Sequence, residues 1–222
     1  GWIETSNISG GEGGTWCAQV PACSAVAVYA DYQPTLNRAC ELAHILGEAS
    51  LRDRLIAYPA IAQNPSLLSC EIAGRFFMDA FLAQLLEETE WERREHAAVL
   101  WQALRQIGVN LLHLPFRFEL SHRLHEERRH GYLSVNDINK LTNTIWEDYF
   151  ADTVRGSDQY VWAAKLHFYL PREPHYDWQY TAGYLIAAVL RRRLLADGCT
   201  ACGGSFGDFL SDCATIDCDE LI

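Results

Sequence analysis

From Pro34 to about residue 196 the apolar residues recur at three- and four-residue steps, a period that restricts most of this chain to packed helices. Thr35 can cap the first, and Leu36, Ala39, Leu42, Ala43 and Leu46 form its apolar stripe over about residues 35 to 50. Leu67 to Glu90 has the same character through Ile72, Phe76, Ala80, Ala83 and Leu86, and Trp91 to Val109 extends or restarts it. Further helices are expected at about 116 to 130, 134 to 152 with Ser134 as cap, 158 to 169 and 176 to 196.

The ends of the chain read differently. Residues 1 to 15, with Gly10, Gly11, Gly13 and Gly14 close together, predict an irregular, mobile stretch. Residues 16 to 32 turn small, β-branched and aromatic, and Ala25-Val26-Ala27-Val28-Tyr29 is the best strand candidate. Gly198 can stop the last long helix, leaving 199 to 222 as a loop and one short helix. There is no internal repeat. The expectation is a mainly α fold with a small N-terminal β-hairpin or sheet, in a single domain spanning 1 to 222.

Charge narrows the choice of partners. With 18 Lys and Arg against 29 Asp and Glu, the formal charge of -11 opposes binding to nucleic acid or to anionic membrane surfaces. No apolar run reaches the roughly 18 residues that span a bilayer, and the N-terminus has no signal-peptide pattern, so a soluble, cytoplasmic protein is expected. The eight cysteines are scattered. Cys199, Cys202, Cys213 and Cys218 leave open a small structural zinc site, a disulfide or free thiols.

The sharpest local signal is Cys40-Glu41-Leu42-Ala43-His44. On a helix Cys40 and His44 lie one turn apart on one face and could share a metal ion, with Glu41 beside it. In the HExxH motif of zinc peptidases that Glu is the general base, and the two flanking positions are the ligands. Glu71, near the start of the next helix, is the candidate third ligand. A plainer reading stands beside this one: Cys40 a small buried hydrophobe, His44 a hydrogen-bonded core histidine, and Glu71 a carboxylate at a helix N-terminus.

The order of motifs along the chain resembles the oligoendopeptidase F and thimet oligopeptidase-like zinc peptidases. Gly14-Thr15-Trp16, the 25 to 30 strand, Thr35 to His44 and Cys70-Glu71-Ile72-Ala73 follow the family's Gly-rich segment, strand, HExxH helix and glutamate-bearing helix. Phe118-Glu119 with His122, then Gly131-Tyr132-Leu133-Ser134, are similar to its FE..H and GxLT segments. Trp162, Leu166-His167-Phe168-Tyr169 and the run from His175 to Tyr184 are similar to its W..IPHFY and FYVYKYATG, and Gly203-Gly204-Ser205 through Ile216-Asp217 to its closing segment.

The resemblance implies the catalytic half of a zincin-like, thermolysin-type metallopeptidase that hydrolyses short peptides. It implies one zinc ion on Cys40, His44 and Glu71, Glu41 as base, and His167, Tyr176 and Tyr180 as donors to the substrate and its oxyanion. It also implies a large N-terminal helical region roofing the substrate channel, to be supplied by a separate chain or by further N-terminal sequence. Cys40 stands where histidine is expected; Gly74, Arg75 and Met78 replace a Ser, a Thr and a second Glu; and Pro171 to Pro174 are extra. These departures imply weakened activity or, as the alternative, an inactive homologue used as a binding or assembly module. Two ExxH spacings, Glu41 to His44 and Glu127 to His130, also raise a carboxylate-bridged di-metal helical protein. Arg123, His125, Arg128, Arg129 and His130 read as a solvated helix face.

Overall fold

Alternation in Ala25–Ala30 places Val26, Val28 and Ala30 on one face of a strand, and in the computed structural model all three are buried while their neighbours are half-exposed. The structure describes residues 2–5, 14–31, 33–88, 90–170, 175–196, 207–208 and 211. Ala25–Ala30 (β3) is the centre of a sheet of order β1-β3-β2, parallel to Trp2–Thr5 (β1) and antiparallel to Trp16–Val20 (β2). Trp16 lies opposite Tyr29, and their rings stack at 5.5 Å.

β1 corrects the expectation of an irregular stretch throughout residues 1 to 15. Its four residues are held by pairing with β3, more than twenty residues away along the chain, a non-local partner that the local glycine count cannot register. Residues 6 to 13, which include three of the four closely spaced glycines, lie outside the described residues.

The chain divides into two compact units, residues 1–103 with 182–222 and residues 104–181. In the first, Leu36–Leu55 (α1) starts at Thr35, whose Oγ1 accepts the Arg38 N–H at 3.3 Å. The helix runs five residues past the expected end because Leu51 and Leu55 are fully buried. Leu67–Glu87 (α2) starts at Ser66, which accepts the Ser69 N–H at 3.0 Å. Arg93–Gly108 (α3) buries Val99 and Gln102, and Trp178–Ala196 (α7) adds Ala187 and Leu194 to the main core of Leu51, Leu55, Leu68, Ile72, Ala73 and Phe76. Val26 and Val28 pack the sheet on Ala49 of α1.

The meeting of α1 and α2 sets the register of everything on them. Leu51 and Leu55 pack with Leu68, Gly47 touches Ala73, and Cys40 packs with Met78 and Leu82, so the helices run in opposite directions. A Cβ at Gly47 would lie 2.3 Å from the Ala73 carbonyl oxygen, so only glycine permits this approach.

In the second unit, a π-helical turn at Val109–His113 leads into Leu114–Arg129 (α4), with Pro115 in its first turn. Asn110 is fully buried in that turn, and its carbonyl accepts the Thr181 hydroxyl at 2.9 Å. Val135–Phe150 (α5) opens with a reciprocal capping box between Ser134 and Asp137. Phe116, Leu120, Ile145, Phe150 and Val161 form the core, with the Phe116 ring edge-on to Trp146 at 5.3 Å. The expected 158 to 169 helix is instead one turn, Val161–Ala164 (α6), and a 3-10 turn at Leu166–Tyr169. Val161 alone of that stretch is buried, whereas Tyr160, Leu166 and Tyr169 are exposed, so no continuous apolar face sustains a longer helix. Among the described residues no helix is long and apolar enough to cross a membrane.

Replacing Gly47 by Ala should destabilise the protein by about 2 kcal/mol, as expected for forcing a methyl into a closed backbone contact. Urea unfolding reads this directly, and an unchanged midpoint would show that α1 and α2 do not meet at Gly47.

Candidate metal centre

Three polar side chains converge where α1 and α2 cross. His44 and Glu48 sit one turn apart on α1, and Glu71 faces them from the second turn of α2. His44 Nε2 is 3.1 Å from Glu48 Oε1 and 3.7 Å from Glu71 Oε2. One ligand atom from each of the three lies within 4.8 Å of the other two. Glu71 is 4% exposed, and burial raises its carboxyl pKa against the opposing pull of His44 and Arg75. The guanidinium of Arg75 is 3.5 Å from Glu71, and that of Arg52 is 4.0 Å from Glu48.

Two glycines make the room. A Cβ at Gly74 would lie 2.6 Å from the His44 ring, and one at Gly183 of α7 would lie 2.7 Å from the Glu71 Cβ. Gly74, a departure from the family pattern at sequence level, is thus the floor on which the imidazole rests. His44 Nδ1 is buried with no hydrogen-bond partner, and Glu71 Oε2 makes ion-pair contacts but no hydrogen bond. One imidazole and two carboxylates form a donor set suited to zinc.

Cys40 is not part of this group. It is 1% exposed and packs among Met78, Leu82 and Val99, where burial pushes its thiol pKa up to about 11. Its neighbours there are apolar side chains, and it is not one of the three groups that converge. The antiparallel crossing explains the placement: moving back along α1 from Gly47 means moving forward along α2, away from Glu71 and toward Met78. The turn after His44 meets Glu71 instead of the turn before it, so Glu48 stands where Cys40 was expected. Glu48 was missed in the sequence, although its spacing of four from His44 is itself a ligand spacing.

Glu41, the expected base, is engaged elsewhere. Its carboxylate accepts hydrogen bonds from Asn37 Nδ2 and Arg38 Nη1, each at 2.6 Å, and Arg38 also reaches Asp31 at 3.4 Å.

The second unit brings together the other three expected residues. The rings of His167 and Tyr176 stack at 4.8 Å, and Tyr180 lies 6.0 Å from His167 and 5.5 Å from Tyr176. Two buried residues absent from the sequence expectation organise them. Arg117 Nη2 is 2.8 Å from Asp177 Oδ1 and also hydrogen-bonds His167 Nδ1. His167 Nδ1 is also 3.3 Å from Asp177 Oδ1, so the arginine and the carboxylate both face that ring nitrogen. Burial, Arg117 and Lys165 all lower the His167 pKa. Burial raises Asp177 to about 6 despite Arg117. Cys199, Cys202, Cys213 and Cys218 lie outside the described residues.

No protein-family model matches this sequence, and no curated protein matches it. A crystal structure from Bacillus anthracis str. Ames, provisionally assigned as an oligoendopeptidase F, matches over 99% of this chain with a TM-score of 0.67 and 17% identity. The two share a fold. This chain spans 36% of that structure's length, and at this identity the likeness speaks for the fold alone. The mainly α fold with its small N-terminal sheet agrees with the expectation.

Asp79, two turns beyond Glu71 on α2, has its pKa raised by burial from 3.8 to about 6, against Arg75 and Arg191. The fold therefore favours the protonated acid, and the stability this lends at low pH is lost as pH rises through about 4 to 6. Asp79→Asn should raise the melting temperature at pH 7 by roughly 2–4 °C, about 1 kcal/mol, and leave it unchanged at pH 3. Calorimetry at the two pH values checks this, and an equal shift at both would refute the assignment.

Proposed function

We propose that this chain is the metal-site portion of a zinc-dependent peptidase acting on short, unstructured peptides, with one zinc ion held by His44, Glu48 and Glu71. The supporting observation is the convergence of those three side chains in a fold like that of an oligoendopeptidase F. When bound, zinc would supply Lewis-acid polarisation of a peptide carbonyl and a more acidic water. Glu48 and Glu71 provide the compensating negative charge, and Arg52 and Arg75 hold those carboxylates in place. The second unit by itself groups the His167 ring with the hydroxyls of Tyr176 and Tyr180, polar groups of the kind that donate to an oxygen that gains charge. A separate chain or an N-terminal region would complete the substrate channel.

A second reading has its own support. Both oxygens of Glu41 are taken by Asn37 and Arg38, and Cys40 is sealed in the core, so neither the base nor the first ligand of a peptidase motif is free. On that reading the chain is an inactive homologue serving as a binding or assembly module.

Elemental analysis of protein purified without added metal, paired with cleavage of internally quenched peptides, separates the two. The first reading expects one zinc per chain, chelator-sensitive cleavage, and loss of both in His44→Ala and Glu71→Gln. Zinc without cleavage supports the inactive homologue, and no zinc uptake removes the metal site altogether. Gly74→Ala should weaken zinc binding by about tenfold or more by displacing the His44 ring, while Cys40→Ala should leave zinc content unchanged. A competition titration with a chromophoric chelator measures both.

A further inference from the structure

Three histidines of the second unit stand together, apart from the residues assigned above. His122 and His125 lie three residues apart on α4, and His175 reaches them from the turn that precedes α7. The His175 ring centre is 5.5 Å from that of His122 and 5.3 Å from that of His125. Three imidazoles on one tetrahedral ion, with metal to nitrogen distances near 2.0 Å, hold their ring centres roughly 5 Å apart. The two separations from His175 are a few tenths of an ångström above that figure, and as the rings stand their nitrogens do not yet converge on one point.

His175 is the unusual member. Its backbone φ of 59° lies in the left-handed region, which is uncommon for residues other than glycine. Its Nδ1 is buried with no hydrogen-bond partner. Phe118, stacked on His122, closes one side of the ring at 5.5 Å. Burial and the two neighbouring histidines lower the His175 pKa, favouring the neutral imidazole that coordinates metals. The carboxylate recorded at the group is Glu126, 3.6 Å from His122 Nε2. A donor set dominated by neutral nitrogen suits nickel, copper or zinc and not magnesium or calcium.

We propose that His122, His125 and His175 form a second metal site, for a divalent transition-metal cation, independent of the group at His44. Binding requires the rings to turn about their Cβ–Cγ bonds so that one nitrogen of each faces the ion, a motion open to the solvent-exposed rings of His122 and His125. The exposed face of α4 around His125, which reads in the sequence as merely solvated, then carries a ligand.

Isothermal titration of the full chain with Ni2+, in a His44→Ala background, tests the site without contribution from the first group. One nickel ion should bind, and adding His175→Phe, which keeps the aromatic packing beside Phe118, should weaken that binding at least thirtyfold. His125→Ala should weaken it at least tenfold, with far-UV circular dichroism unchanged in each variant. Nickel affinity insensitive to both substitutions, or absent once His44 alone is removed, would overturn the proposal.

Discussion

The contact between Gly47 of α1 and the Ala73 backbone of α2 is the constraint on which the first unit depends. Without a side chain at Gly47, the two helices approach until backbone meets backbone, and the antiparallel crossing fixes which turns face each other. That one point decides that His44 and Glu48 look toward Glu71 and that Cys40 looks toward Met78 and Leu82. Gly74 and Gly183 extend the same device, clearing space for the His44 ring and for the Cβ of Glu71. The centre is therefore built from absent side chains as much as from present ones.

A buried carboxylate such as Glu71 is tolerated only with compensating charge or hydrogen bonds, because desolvating an isolated anion is costly. Here the guanidinium of Arg75, 3.5 Å from Glu71 Oε2, supplies the charge and holds the carboxylate in place. The second unit follows the same logic with different parts. Arg117, buried beside Asp177, anchors the His167 ring at Nδ1 and so holds it where it stacks on Tyr176.

Much of the fold was legible locally. The helical period after Pro34, the Thr35 and Ser134 caps and the alternation in Ala25–Ala30 all have partners within a few residues, so local sequence is enough to read them. Of the residues singled out in the sequence, the structure brings His44 and Glu71 together in one group and His167, Tyr176 and Tyr180 together in another. What local reading missed were distant pairings. β1 exists because it joins the edge of β3; the 158 to 169 segment fails as a long helix because most of its apolar residues find no core; and Arg117 meets Asp177 across sixty positions of chain.

The sequence by itself determined the helices, their caps, the central strand and the side of α1 that bears Cys40, His44 and Glu48. Only the tertiary structure decided which of these three share a site. Periodicity specifies a face, and a face extends along the whole helix; the turn that meets a partner is set by where the two helices touch. That position rests on glycines whose role appears only when the opposing backbone is in place, and it moved the candidate centre one turn along α1, from Cys40 to Glu48.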